Sequence, residues 1–237
     1  MAFLDWMNDL DVRLFDFLNG SHTAVADGFW WAVTDTMSWL PFFLILIYVI
    51  IANKGRESIL IILSLALTVL LADQLSGLIK DLVGRLRPSH NPYMMYNIHI
   101  VNGYRGGLYS FVSSHAANTF GVAMLMSLIV RNGWFSLTMF AWAFLNGYSR
   151  VYLGVHFPFD VIVGALLGLL IGWAAFKGLD FLRIKLPAFS SITTERTIGS
   201  HTRTGFRKSQ LFSVVLVFLM SIFFFILLSG FVIDFMP

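Results

Sequence analysis

The sequence predicts an all-α fold, a polytopic transmembrane helix bundle of about six spans. Three observations carry that prediction. Of 237 residues, 57 % are hydrophobic and only 12 % charged, with a mean hydropathy of +0.77, too apolar for a soluble domain of this size. The apolar residues gather in runs of roughly 15 to 24, close to the length that crosses a hydrocarbon core as helix. The polar residues cluster between those runs instead of alternating with them.

Taken in order, residues 3–19 set Phe3, Leu4, Trp6, Met7, Leu10, Leu14, Phe15 and Leu18 against Asp5, Asp9, Asp11, Arg13 and Asp16, a pattern that predicts an interfacial amphipathic helix ended by Asn19-Gly20. The same aspartates stand where a signal peptide needs a basic head and an apolar core, so none is expected. Spans follow at 29–52 and 58–79, joined by Asn53-Lys54-Gly55-Arg56-Glu57, although residues 1–52 leave room for one membrane segment or two. Residues 80–112 are polar and carry Gly and Pro, so they form a loop. Further spans are predicted at 114–130, 134–148 and 157–176. Residues 177–210 hold seven Lys and Arg among Ser and Thr and read as a partly disordered linker. Leu211–Ile233 is the last span. The chain thus divides into an interfacial helix and lead-in (1–28), a transmembrane core (29–176) with its polar motifs within 80–160, a basic cytoplasmic linker (177–210) and a final helix (211–237).

With six spans, the loops at 53–57, 131–133 and 177–210 share one side and hold ten of the sixteen Lys and Arg, which makes that side cytoplasmic. Residues 1–28, 80–113 and 149–156 then meet at the outer face. There are no cysteines, and His22, His90, His99 and His201 show no helical His/Glu spacing, so neither a thiolate nor a histidine metal site is expected. The basic residues are not interleaved with aromatics on a soluble face, which argues against nucleic acid as a partner.

The outer face gathers the chemistry. In Ser149–Asp160, the residues Arg150, His156 and Asp160 lie between two apolar runs, where unpaired charge is costly. If the segment is helical, His156 and Asp160 share a face, the carboxylate orients one imidazole nitrogen, and the other is free to attack an anionic phosphorus centre beside the Arg150 guanidinium. An ordinary Arg-Asp pair over a packed His is an equal reading of this stretch alone. Lys80 and Arg87 stand about two helical turns apart before Pro88 and read either as a snorkelling helix end or as a phosphate clamp. At Ser110–Asn118, hydroxyls and free amides at a helix start form an anion site, with Ser113 and Ser114 beside a His115 able to pass a proton; the plain alternative is a capped helix with a solvated His.

Together the three clusters resemble the motifs of the type-2 phosphatidic acid phosphatase superfamily, integral-membrane lipid phosphate phosphatases related in their site to vanadium haloperoxidases. Lys80, Arg87 and Pro88 match its first motif; Ser149, Arg150, His156 and Asp160 match the third in full; the second, usually Pro-Ser-Gly-His, stands here as Val112-Ser113-Ser114-His115. The resemblance covers about residues 57–176. It implies a multi-pass protein of a bacterial inner membrane, its site facing the periplasm or exterior, and a phosphorylated membrane lipid as substrate. His156 would form a phosphohistidine with Asp160 fixing its tautomer, and His115 would protonate the leaving oxygen and later activate water. Lys80, Arg87, Arg150, Ser113 and Ser114 would hold the phosphoryl oxygens, with no metal and no cofactor. Arg85, Arg105 and Tyr152 are weaker candidates for headgroup contact. By resemblance to short bacterial members, undecaprenyl diphosphate leads as substrate, followed by phosphatidylglycerol phosphate and lipid A. A non-hydrolytic lipid-binding or transport protein is the alternative of another class, and the His156–Asp160 pair weighs against it. A haloperoxidase would sit on a soluble scaffold, which six spans oppose.

Overall fold

The computed structural model describes residues 2–189 and 200–232, and all of its regular structure is helical among those residues. The helix expected over residues 3–19 forms as α1, Ala2–Asn19. The span expected at 29–52 is instead two helices, α2 (Ala24–Thr34) and α3 (Leu40–Lys54). The break has a local cause. Asp35 Oδ2 accepts from both the backbone N–H and the hydroxyl of Ser38, each at 2.8 Å, offering the chain an alternative to the helical ladder. The Trp39 indole then donates to the Val33 carbonyl at 2.8 Å, and Pro41 sits in the first turn of α3, where no N–H is needed.

Helix α4 (Glu57–Val83) ends at Gly84, whose φ of +62° lets it cap the helix in the left-handed conformation. Helix α5 (Ser114–Val130) starts under the Ser113 side chain and α6 (Gly133–Tyr152) under that of Asn132. Helix α7 runs from Pro158 to Lys185 and α8 from Lys208 to Val232. Among the described residues, four segments are long and apolar enough to cross a membrane: Met37–Lys54, Glu57–Val83, Pro158–Lys185 and Lys208–Ser229. The other two expected spans are present as helices, α5 shorter and enclosed by the bundle, α6 more polar but with Trp134, Leu137 and Phe144 turned outward.

Residues 177–185, assigned by sequence to the linker, continue α7. Arg183 anchors them, with Nη2 2.6 Å from Glu57 and Nη1 2.7 Å from Asp180. Residues 200–207 form a turn whose Phe206 is fully buried under the Lys54 ammonium. The partly disordered linker expected over 177–210 is thus ordered at 177–189 and 200–207, and residues 190–199 lie outside the described residues.

Two features position the site. An aromatic cluster of Trp39, Phe42, Trp142, Phe218 and Phe225 locks α3, α6 and α8 together. The most extensive helix pairing is α5 on α7. Gly164, Gly168 and Gly172 lie one turn apart on α7, and a Cβ at each would fall 2.5, 2.2 and 2.4 Å from the carbonyl oxygens of Ser113, Ala117 and Gly121. Only glycine allows that backbone approach, the small-residue packing used between helices in lipid.

Candidate active site

The three polar clusters meet at one end of the bundle. The α6–α7 connection, Leu153–Phe157, is not helical, so His156 and Asp160 come together by a route other than the predicted one. Phe157 precedes the first turn of α7, and its N–H donates to Asp160 Oδ2 at 2.8 Å, which folds the carboxylate back beneath the imidazole. The Arg150 carbonyl accepts from the N–H groups of Val155 and His156 at 3.1 and 3.2 Å and fixes the loop.

His156 is 2 % exposed. Its Nε2 lies 3.2 Å from Arg87 Nη1, and its Nδ1 lies 3.6 Å from Asp160 Oδ2. An arginine can only donate, so Nε2 is the acceptor and the ring proton sits on Nδ1, facing Asp160. At 3.6 Å that contact is longer than a hydrogen bond. The carboxylate is otherwise engaged: Oδ1 accepts from Arg85 Nη1 at 2.9 Å. Burial, reinforced by the charges of Arg87, Arg150 and Lys80, holds the His156 pKa well below the usual histidine value.

Lys80 and Arg87 do not share a helix face as their spacing suggested, because Gly84 ends α4 between them. Arg87 arrives on extended backbone paired to Leu108, with its Nε donating to the Tyr109 carbonyl at 3.1 Å and Nη1 to that of Val155 at 3.2 Å. Burial and the nearby Arg150 lower its pKa to about 10, so it stays charged. Lys80 Nζ and Ser76 Oγ both donate to Ser114 Oγ, the latter at 2.7 Å. Arg150 is buried, with Nη1 donating to Thr34 at 2.5 Å and Nη2 to the Tyr104 hydroxyl at 3.2 Å. Burial raises the Tyr104 pKa, but the charge and hydrogen bond of Arg150, joined by the charge of Arg87, prevail and lower it.

Ser113 Oγ caps α5 by accepting from Ala116, and its own N–H donates to the Asp160 carbonyl at 2.9 Å, joining the second cluster to the third through the main chain. His115 is close enough to feel the charges of Arg150, His156, Arg87 and Lys80. It also lines a mainly apolar cavity of 430 Å³ that descends between α3, α4, α5 and α6 past Phe43, Leu46, Leu65, Val122 and Trp142.

All eight predicted site residues therefore gather in one region. Of the weaker candidates, Tyr152 points to Asp27 at 2.7 Å, Arg105 to the Ser89 carbonyl at 2.9 Å, and Arg85 to Asp160. Thr34, Ser76, Tyr104 and Asp11 were not singled out from sequence. Among the described residues, no three His, Asp or Glu side chains gather as a metal site requires.

The sequence of the chain matches a known family over much of its length. The family model of the PAP2 superfamily covers residues 59–183. The chain belongs to the PAP2 superfamily. Among curated PAP2-like relatives, the lipid A 4′-phosphatase of Bacteroides thetaiotaomicron is 38 % identical over 189 residues, covering 78 % of this chain and 82 % of the relative. The lipid A 4′-phosphatase of Porphyromonas gingivalis is 34 % identical and covers 73 % and 75 %. An undecaprenyl-diphosphatase of Sulfolobus acidocaldarius is 28 % identical and covers 72 % and 77 %. The crystal structure of Aquifex aeolicus LpxE superposes with a TM-score of 0.56 at 26 % identity, covering 71 % of this chain and 95 % of that one. This PAP2 protein is an integral-membrane lipid phosphatase, a hydrolase of phosphoester bonds. These relatives favour the lipid A alternative over the undecaprenyl diphosphate placed first from sequence, since the two lipid A 4′-phosphatases match about three quarters of the chain at the higher identities. The earlier order rested on the shortness of the chain, which carries no chemical information about the headgroup.

Proposed function

We propose that this phosphatase removes the 4′-phosphate of lipid A. The observation that carries the reading is the 38 % identity to a lipid A 4′-phosphatase along 78 % of the chain. The 430 Å³ cavity beside His115 supports it, since it offers apolar lining next to the cationic cluster, as a phosphorylated lipid with acyl chains requires.

In the proposed reaction, Lys80, Arg87 and Arg150 hold the phosphoryl oxygens together with the backbone amides at the start of α5, and offset charge as it builds in the transition state. His156 Nε2 attacks phosphorus while the bond to the sugar oxygen breaks, and His115 donates a proton to that oxygen. Asp160 faces Nδ1–H and stabilises the charged ring of the phosphohistidine. His115 then takes a proton from water, the hydroxide attacks phosphorus, the P–N bond breaks and phosphate leaves. The cations supply the electrostatic role for which other phosphatases use a metal. The distribution of Lys and Arg supports an outward-facing site in a bacterial inner membrane.

Purified protein assayed with EDTA against lipid A, undecaprenyl diphosphate, phosphatidylglycerol phosphate and phosphatidic acid tests this directly. Phosphate should leave lipid A fastest, from the 4′ position, and a folded His156→Ala variant should release none. Faster release from undecaprenyl diphosphate would restore the earlier substrate order, and full activity in His156→Ala would dismiss the site. In spheroplasts the phosphate should appear in the medium; retention inside would reverse the orientation.

A further inference from the structure

Helix α1 presents one face to the site. Asn8, Asp11, Val12, Phe15, Leu18 and Asn19 recur at helical spacing, and that face docks on the chain around His156. Phe15 packs edge-on against Phe157 with ring centroids 5.5 Å apart. The Asn19 amide donates to the carbonyls of Val151 and Tyr152 at 3.3 and 2.8 Å.

Asp11 stands out on this face because it is a fully buried carboxylate. Simple docking would be served better by an apolar side chain, since burying a charge costs heavily unless it is paired. Its Oδ1 accepts from the N–H of Phe159 at 2.9 Å, one residue before Asp160. Its Oδ2 lies 2.8 Å from Arg85 Nη1, the same nitrogen that donates to Asp160 Oδ1 at 2.9 Å. The Arg85 guanidinium is therefore shared between two carboxylates, steadied by Asn8 Oδ1 at 3.2 Å and laid over the Phe157 ring at 4.0 Å.

We propose that Asp11 is a positioning residue for the hydrolysis: by holding Arg85 from the far side, it keeps the Asp160 carboxylate placed beneath His156. Without the Asp11 charge, Arg85 has one anionic partner, closes on Asp160, and draws it from the imidazole it must orient. The inference rests on the phosphohistidine reading above, and it gives α1 a role in turnover as well as in docking.

The test is the kcat and KM of the full-length protein on lipid A for wild type, Asp11→Asn, Arg85→Gln and the double variant, with thermal unfolding of each. Asp11→Ser, which keeps an acceptor for the Phe159 amide without the charge, replaces Asp11→Asn if that variant is not recovered folded. Asp11→Asn should lower kcat by about 10- to 100-fold, the scale of an ångström-level misplacement, with KM within about twofold. Adding it to Arg85→Gln should cost less than about twofold more, because both act through one guanidinium. Unchanged kcat, a rise in KM alone, or losses that multiply in the double variant would overturn the role. Absence of lipid A turnover in the wild type would instead overturn the lipid A reading, and the same four proteins compared on undecaprenyl diphosphate should then show the same kcat losses, whose absence would overturn the role of Asp11.

Discussion

In the proposed mechanism His156 acts as a nucleophile without a strong base beside it. The ring is buried and faced by three cations, so protonation would add a fourth positive charge to a poorly hydrated cluster. Its pKa therefore lies well below 6.5 and the ring is neutral at pH 7. The sign of the pH dependence follows. Lowering the pH removes activity only once His156 protonates, so the acid limb of kcat/KM lies below 6.5. With substrate-phosphate ionisation near pH 6 allowed for, kcat/KM at pH 5.5 should stay within about twofold of its value at pH 7.5, where an ordinary histidine would already have cost about tenfold. A pH profile on lipid A checks this, and a half-loss at pH 6.5 contradicts it. The residues of this chemistry were legible because their spacing is written in the chain: Lys80 to Arg87, Ser113 to His115, Arg150 to Asp160. Thr34, Tyr104 and Asp11 were not, because each reaches the site from a distant segment whose sequence holds no pattern linking it to Arg150 or Arg85.

At the scale of the element, the α5–α7 contact decides whether those residues meet, since Ser113 caps the start of α5 and Phe157 precedes that of α7. The glycines at 164, 168 and 172 were visible in the sequence at four-residue spacing, yet span length alone did not reveal what they approach. Gly168→Ala should force α5 from α7, destabilise by about 1–3 kcal/mol and reduce kcat. Gly178→Ala, on the same helix with no atom within 4 Å of the added Cβ, should be neutral or slightly stabilising. Melting temperature and turnover of the two variants make the comparison, and equal behaviour would mean the stripe does not set the spacing. The predicted helices mostly formed, and the exception is instructive. Hydropathy saw one apolar run from 29 to 52, but Asp35, Ser38 and Trp39 break it through side-chain hydrogen bonds that a hydropathy average does not register. That break brings Thr34, at the end of α2, to Arg150.

Across the whole molecule, the balance of lipid-facing and protein-facing surface explains what composition could and could not foretell. Side chains such as Leu63, Leu170 and Phe223 are at least 60 % exposed and turn outward, as helices immersed in lipid allow. Meanwhile α5 is enclosed by the bundle and α6 buries Ser149 and Arg150 at one end while turning Trp134, Leu137 and Phe144 outward, so the all-helical bundle was legible and the unequal roles of its helices were not. The amphipathic pattern of α1 was read as a membrane-surface helix. In the fold, its inner face instead packs over the loop that holds the nucleophile, a tertiary contact that periodicity alone does not distinguish from lipid. Charge, packing and the family relationship support the central proposal, that lipid phosphate passes through His156. Alkaline quenching during turnover of lipid A, followed by mass spectrometry of the peptide containing His156, tests it most directly. The account predicts a phosphoryl group on His156 that disappears when substrate is exhausted, whereas loss of phosphate from lipid A with a label on another residue, or on none, would contradict it.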